Sequence, residues 1–156
     1  MHAFRHRLAT LVTVPALTGL VVAATGRTLQ QDTPGTGTTV AMTVTNDTDD
    51  EMTLVSSTNP QGRWVEAPPI TLAPQSSAVM SVWSNDLRGV SFGVRYAVRG
   101  AEAVFSAGNR TPYGADIAGT RLEGDAHGSY GISTRIDTCY PAMALEYRLH
   151  LTTRPS

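Results

Sequence analysis

From Val40 to Leu151 apolar side chains recur at every second position. Val40, Met42 and Val44 alternate with Ala41, Thr43 and Thr45. Val90, Phe92, Val94, Tyr96 and Val98 alternate with Ser91, Gly93, Arg95, Ala97 and Arg99. Tyr130, Ile132, Thr134 and Ile136 form a third series, and Met143, Leu145, Tyr147, Leu149 and Leu151 a fourth. A period of two predicts strands with one greasy and one wet face, whereas a helix would repeat every 3.6 residues. Shorter β segments are predicted at Glu51–Ser56, Arg63–Glu66, Ser76–Ser84 and Ala101–Ala107. Pro, Gly, Asn and Asp clusters separate them, among them Asn46–Asp50, Asn59-Pro60-Gln61-Gly62, Pro68-Pro69 and Arg99-Gly100. Some eight or nine strands at this spacing predict an all-β fold, an antiparallel β-sandwich of two facing sheets.

The first 24 residues break the pattern. Arg5 and Arg7 precede Leu8 to Ala24, a run without charge. A basic start, an apolar stretch and small residues after it read as a secretory signal, residues 1–24, entering as an N-terminal signal helix. An uncleaved membrane anchor is the alternative. The run lies at the short edge of the roughly 17–25 residues that span a bilayer, with Pro15 and Gly19 inside it. Residues 25–37 are rich in Thr, Gly and Gln and read as a flexible linker. Residues 38–153 then form one sandwich domain, long enough to bury a core.

Composition narrows the partners. Charged residues make up 16% of the chain and hydrophobic ones 41%, a globular balance. Every basic residue other than His is Arg. Removing Arg5 and Arg7 with the signal leaves ten Arg against thirteen Asp and Glu, a net charge of −3. The Arg residues are scattered singly, so neither nucleic acid nor anionic lipid is expected to be held by charge. The single cysteine, Cys139, precludes an intramolecular disulfide and is expected to be buried or to join two chains.

Three aromatics stand next to turns: Trp64, Trp83 and Tyr113. Trp and Tyr pair an apolar body with a polar tip, which suits contact with a membrane interface; burial in the core is the competing use of each. The acidic group Asp47, Asp49, Asp50 and Glu51 lacks the spacing of a calcium loop and is expected to be a solvated turn. Asp125, His127 and Ser129 include the residue types of a hydrolase triad, but so close in sequence they cannot converge from separate elements. No metal, cofactor or catalysis is expected. Asn46-Asp47-Thr48 and Asn109-Arg110-Thr111 match glycosylation sequons.

Four stretches, in order, resemble the aegerolysin family. They are VAMTVTNDTDDEMTLVSS, GRWVEAPPITLAPQSSAVMSVWSN, GVSFGVRYAV and AVFSAGNRTPYGAD, spanning Val40 to Asp116. The family's W-D-N-P loop corresponds to Ala107-Gly108-Asn109-Arg110-Thr111-Pro112, without its Trp and Asp, and Asn109, Pro112 and Gly114 loosely match the family's N-P-x-x-G segment. The resemblance implies a secreted, non-catalytic β-sandwich that binds membrane lipid, sphingolipids among them. It also implies action in haemolytic assemblies, with a separate pore-forming protein as partner and with oligomers on membranes. An extracellular interaction module without lipid binding is the alternative. The lipid-contact residues are then Trp64, Trp83, Asn109 and Tyr113.

Overall fold

A computed structural model describes residues 37–86, 88–110, 114–137 and 142–152. Eleven strands lie among them: β1 (Thr38–Asp47), β2 (Met52–Thr58), β3 (Arg63–Glu66), β4 (Thr71–Leu72), β5 (Ser76–Ser84), β6 (Gly89–Val98), β7 (Ala101–Arg110), β8 (Gly114–Asp116), β9 (Arg121–Glu123), β10 (Tyr130–Ile136) and β11 (Ala142–Leu151). One turn of 3-10 helix, His127–Ser129, precedes β10. No helix among the described residues is long and apolar enough to cross a membrane. The signal peptide and its helix, most of the linker, Tyr113 and Cys139 lie outside the described residues.

The strands form two sheets. The first has the order β10-β11-β1-β5-β3; the second has the order β4-β2-β6-β7-β8, with β9 also on the free edge of β7. One part of the predicted architecture needs correction: the sandwich is mixed, because β1 and β11 run parallel while the other pairs are antiparallel. Alternation encodes which side of a strand is buried and is blind to its direction. Strands β4, β8 and β9 were not predicted, since two or three residues are too few to show a period.

The alternating positions meet between the sheets. Val40 sits between Met143 and Val82, Met42 between Leu145 and Met80, and Val44 between Tyr147 and Ala78. Across from them lie Val90, Phe92, Val94, Tyr96 and Val98 of β6 and Ala101, Ala103, Phe105 and Ala107 of β7. The small side chains of β7 leave room for Tyr147, whose ring packs on Phe105 with centroids 5.3 Å apart. The Tyr147 hydroxyl donates to the Ser106 carbonyl at 2.5 Å and accepts from Thr120 at 2.9 Å, which ties the sheets together. Tyr96 donates to the Pro69 carbonyl at 2.8 Å. Both hydroxyls are therefore satisfied where water is absent.

Two strand ends depart from the predicted pattern. Ile136 and Leu151 are exposed although each continues a greasy series. Ile136 lies at the far end of β10, an edge strand of the first sheet, and Leu151 ends β11.

Candidate functional site

The strand ends define two poles. One gathers the starts of β1, β3, β6 and β11 and the ends of β5 and β7. Trp64, Trp83 and Asn109 all belong to it. The other gathers the end of β1, the starts of β2, β5, β7 and β10, and the Arg99-Gly100 turn.

Register decides where each tryptophan points. Trp83 is opposite Thr39 and Arg63, while its neighbour Val82 is opposite Val40 and Trp64. Val82 is buried in the core, so Trp64 faces inward and Trp83 outward. Trp64 is half-buried and meets Phe92 edge-on, ring centroids 5.2 Å apart. Trp83 lies on the outer face of the first sheet beneath the Arg63 guanidinium, 4.8 Å from the ring centroid, a cation–π contact. Its Nε1 is covered near Gly37 and has no hydrogen-bond partner among the described residues. The structure thus brings the two tryptophans to one pole but to opposite faces of a sheet. Beside Trp83 the outer face of β1, β5 and β11 is uncharged over two cross-strand rows, Thr39 and Ala142, then Ser81, Ala41 and Ala144, and the second row ends on Glu66 of β3, opposite Ser81.

Asn109 differs from its expected place. It is not in a loop but is the penultimate residue of β7, and its side chain is 0% exposed. Gly108, which resembles a strand breaker in sequence, continues the ladder to Asp116 of β8. Gly89 holds Asn109 from the other side. Its φ of +113° belongs to glycine, and a Cβ there would lie 1.9 Å from the Asn109 carbonyl oxygen. Burial of Asn109 and of Asn46 also closes both sequons to a glycan in the folded chain.

Charge separates between the poles. At the Trp pole Arg63 and Arg110 are exposed and make no ion pair among the described residues, while Arg88 bonds Asp86 at 3.2 Å. That hydrogen bond holds the Asp86 carboxyl below the ordinary carboxylate range. At the other pole Asp47 pairs with Arg148 at 3.2 Å and Asp50 with Arg99 at 3.6 Å. The acidic group is a turn organised by Asn46, whose carboxamide donates to the carbonyls of Asp50, Leu72 and Ala73. On the outer face of the second sheet Arg95 bridges Glu102 and Glu123. The Arg121 hydrogen bond, ahead of the Arg95 charge, lowers the Glu123 pKa.

Among the described residues no group of three His, Cys, Asp or Glu side chains converges as a metal site. His127 engages the Gly124 carbonyl at 2.7 Å on an exposed turn. Asp125 and Ser129 are exposed on the same turn. A shallow cleft of about 350 Å³ opens between the sheet edges, lined by Ile117, Leu122, Ile132 and Thr134 among others.

No protein-family profile matches this sequence, and no curated protein matches it significantly. The fold is found in a solved structure. The lipid binding protein Nakanori superposes with a TM-score of 0.64 at 11% identity, over 74% of this chain and 72% of Nakanori. IP-1A from Alcaligenes faecalis gives a TM-score of 0.49 at 6% identity, over 76% of this chain and 94% of its own. The likeness to Nakanori places this chain in the same class of two-sheet β-sandwich.

Proposed function

We propose that this chain is a secreted, non-catalytic β-sandwich that binds membrane lipid through its Trp pole. The observation that carries the reading is the fold shared with Nakanori, a lipid binding protein. Nakanori is an aegerolysin-family protein, the family that the four sequence stretches resemble. The surface supports the same use. Trp83 stands beside the uncharged side chains of Thr39, Ala41, Ser81, Ala142 and Ala144, with Glu66 opposite Ser81 and with Arg63 and Arg110 exposed at the same pole. An indole at the boundary of headgroup and acyl chain buries apolar area, and guanidinium groups suit phosphate oxygens. In this reading Trp83, Asn109 and Tyr113 serve the lipid, and Trp64 supports them from the core side. Sphingolipid preference, a pore-forming protein partner and oligomers on the membrane are the finer parts of the proposal.

The test is co-sedimentation of the chain lacking residues 1–24 with phosphatidylcholine vesicles, with and without sphingomyelin. Binding is expected, with Trp83→Ala weakening it while the melting temperature changes little. Salt at about 1 M shortens the screening length to roughly 3 Å, so binding that survives it rests on the aromatics, and binding that vanishes rests on Arg63 and Arg110. Absence of binding to every vesicle would leave the extracellular interaction module as the function. Secretion has its own check. N-terminal sequencing of exported protein should begin between Ala24 and Gln31, and recovery of intact chain only in membranes would overturn cleavage.

A further inference from the structure

The two poles treat their buried polar groups differently. Asn46 and Asn109 are each the penultimate residue of a long strand, each turned inward and each 0% exposed. Asn46 is fully engaged. Its Nδ2 donates to the carbonyls of Asp50 at 2.8 Å and of Leu72 and Ala73 at 3.1 Å. Its Oδ1 accepts from the Thr48 hydroxyl at 2.7 Å and the Thr48 amide at 3.3 Å. Asn109 has no hydrogen-bond partner among the described residues on either Nδ2 or Oδ1. The other buried, unpaired side-chain atoms among the described residues are Thr38 Oγ1, Asn59 Oδ1 and Trp83 Nε1, and all of these belong to the Trp pole.

A buried polar group left unpaired costs about 1–3 kcal/mol, and native proteins leave few of them without a protein, water or ligand partner. Concentration of these groups at one pole therefore marks a place where something beyond the described residues completes the hydrogen bonds. The inner-face residues at that rim narrow its chemistry. Thr38 begins β1, Ser84 ends β5, and Asn109 lies one residue in from the end of β7. None is charged. Ser84 is already occupied, donating to the Gln61 carbonyl at 2.7 Å and accepting from the Asp86 amide at 3.1 Å. What remains is two N–H donors and a carbonyl acceptor on Asn109, and one hydroxyl on Thr38. A single anion would satisfy only the N–H donors and a single cation only Oδ1. A hydroxyl group donates and accepts at once, and neighbouring hydroxyls satisfy both ends of a carboxamide. The ladders to Val90 of β6 and Ala115 of β8 hold the β7 backbone at Asn109 and keep it from swinging out to find other partners.

We infer that the rim between the start of β1 and the end of β7 is a binding notch for a neutral, hydroxyl-rich group of the kind a sugar presents, with Asn109 as its principal hydrogen-bonding residue and Thr38 as the second. Two sources supply such a group, the headgroup of a glycolipid and a free sugar. The inference deepens the lipid reading in the first case and stands without it in the second.

The experiment uses the protein and its Asn109→Leu and Thr38→Val variants. The probes are free galactose and phosphatidylcholine vesicles with and without galactosyl diacylglycerol. The readouts are co-sedimentation, the side-chain amide resonance of Asn109 and the melting temperature. The galactosyl group is expected to shift the Asn109 resonance or increase vesicle binding, and Asn109→Leu to weaken that response at least about tenfold, the value of one hydrogen bond at a buried group. The melting temperature of Asn109→Leu should stay level or rise, because an unpaired polar group has been removed. Thr38→Val should weaken the response by a smaller factor, and it carries the test if the leucine variant does not fold. Response on vesicles alone assigns the headgroup as the source; response to galactose in solution assigns the free sugar. No response of the unmodified protein to galactose in either form overturns the notch, as does a full response in Asn109→Leu. A clear drop in the melting temperature of folded Asn109→Leu also overturns it, since Asn109 would then be satisfied by resident water. The lipid reading fails separately: no vesicle sediments the protein while free galactose still shifts Asn109.

Discussion

Leu145 and Glu146 are neighbours with opposite fates, and they show how much a single position carries. Leu145 is buried opposite Met42 and Ile136, whereas Glu146 is exposed and lies opposite Thr43 and Arg135. Leu145→Ala is expected to cost about 2–5 kcal/mol, from lost transfer energy and the cavity left behind. Glu146→Ala should cost less than about 0.5 kcal/mol. Urea denaturation of the two variants checks both, and equal losses would refute the assigned faces. These residues were legible from alternation alone. The tryptophans were not. Their type marked them as interface or core residues, but only the pairing of Trp83 with Arg63 and of Trp64 with Val82 decided which side each faces. Asn109 was misplaced for a local reason. Gly108 and the following Arg-Thr-Pro look like a loop, yet the β6 and β8 ladders on either side hold the strand through Arg110.

At the level of elements, protection should follow position in the sheets. β1 lies between β5 and β11, and β6 between β2 and β7, so their amides are paired on both sides. β3, β4 and β10 are edges. Hydrogen exchange should be slowest in β1, β6 and the facing part of β7, and fast along the open side of β10. Slow exchange throughout β10 would indicate that another strand covers that edge. The long strands were readable because ten residues display a period several times over. Direction was not, and the parallel pairing of β1 with β11 follows from the long return through β10 rather than from either strand's own sequence. The tight Arg99-Gly100 reversal was readable. Gly100 takes φ +79° and Arg99 φ +33°, a left-handed turn that joins β6 to β7 directly.

For the whole molecule, the buried tyrosines couple folding to alkaline pH. Burial raises the Tyr96 pKa to about 12, and burial also raises those of Tyr147 and Tyr130. An unfolded tyrosine ionises near 10, so between about pH 10 and 12 the folded chain keeps a proton that the unfolded chain gives up. The stabilisation is complete below about pH 10 and falls as pH rises toward 12, by up to about 1.4 kcal/mol per pH unit for Tyr96, with Tyr147 and Tyr130 acting in the same direction. The urea midpoint should therefore change little between about pH 8 and 9.5 and drop by pH 11. A midpoint unchanged at pH 11 would mean that these hydroxyls open to water. The sequence by itself determined the all-β class, the long strands, most of the core and the turns between them, because period, burial and turn chemistry are local and repeat along the chain. The tertiary structure alone decided strand order and direction, the opposite orientations of Trp64 and Trp83, the segregation of charge between two poles and the contrast between Asn46 and Asn109. Those features depend on which distant segments lie side by side, and a carboxamide's partners are set by the carbonyls that the rest of the fold delivers to it.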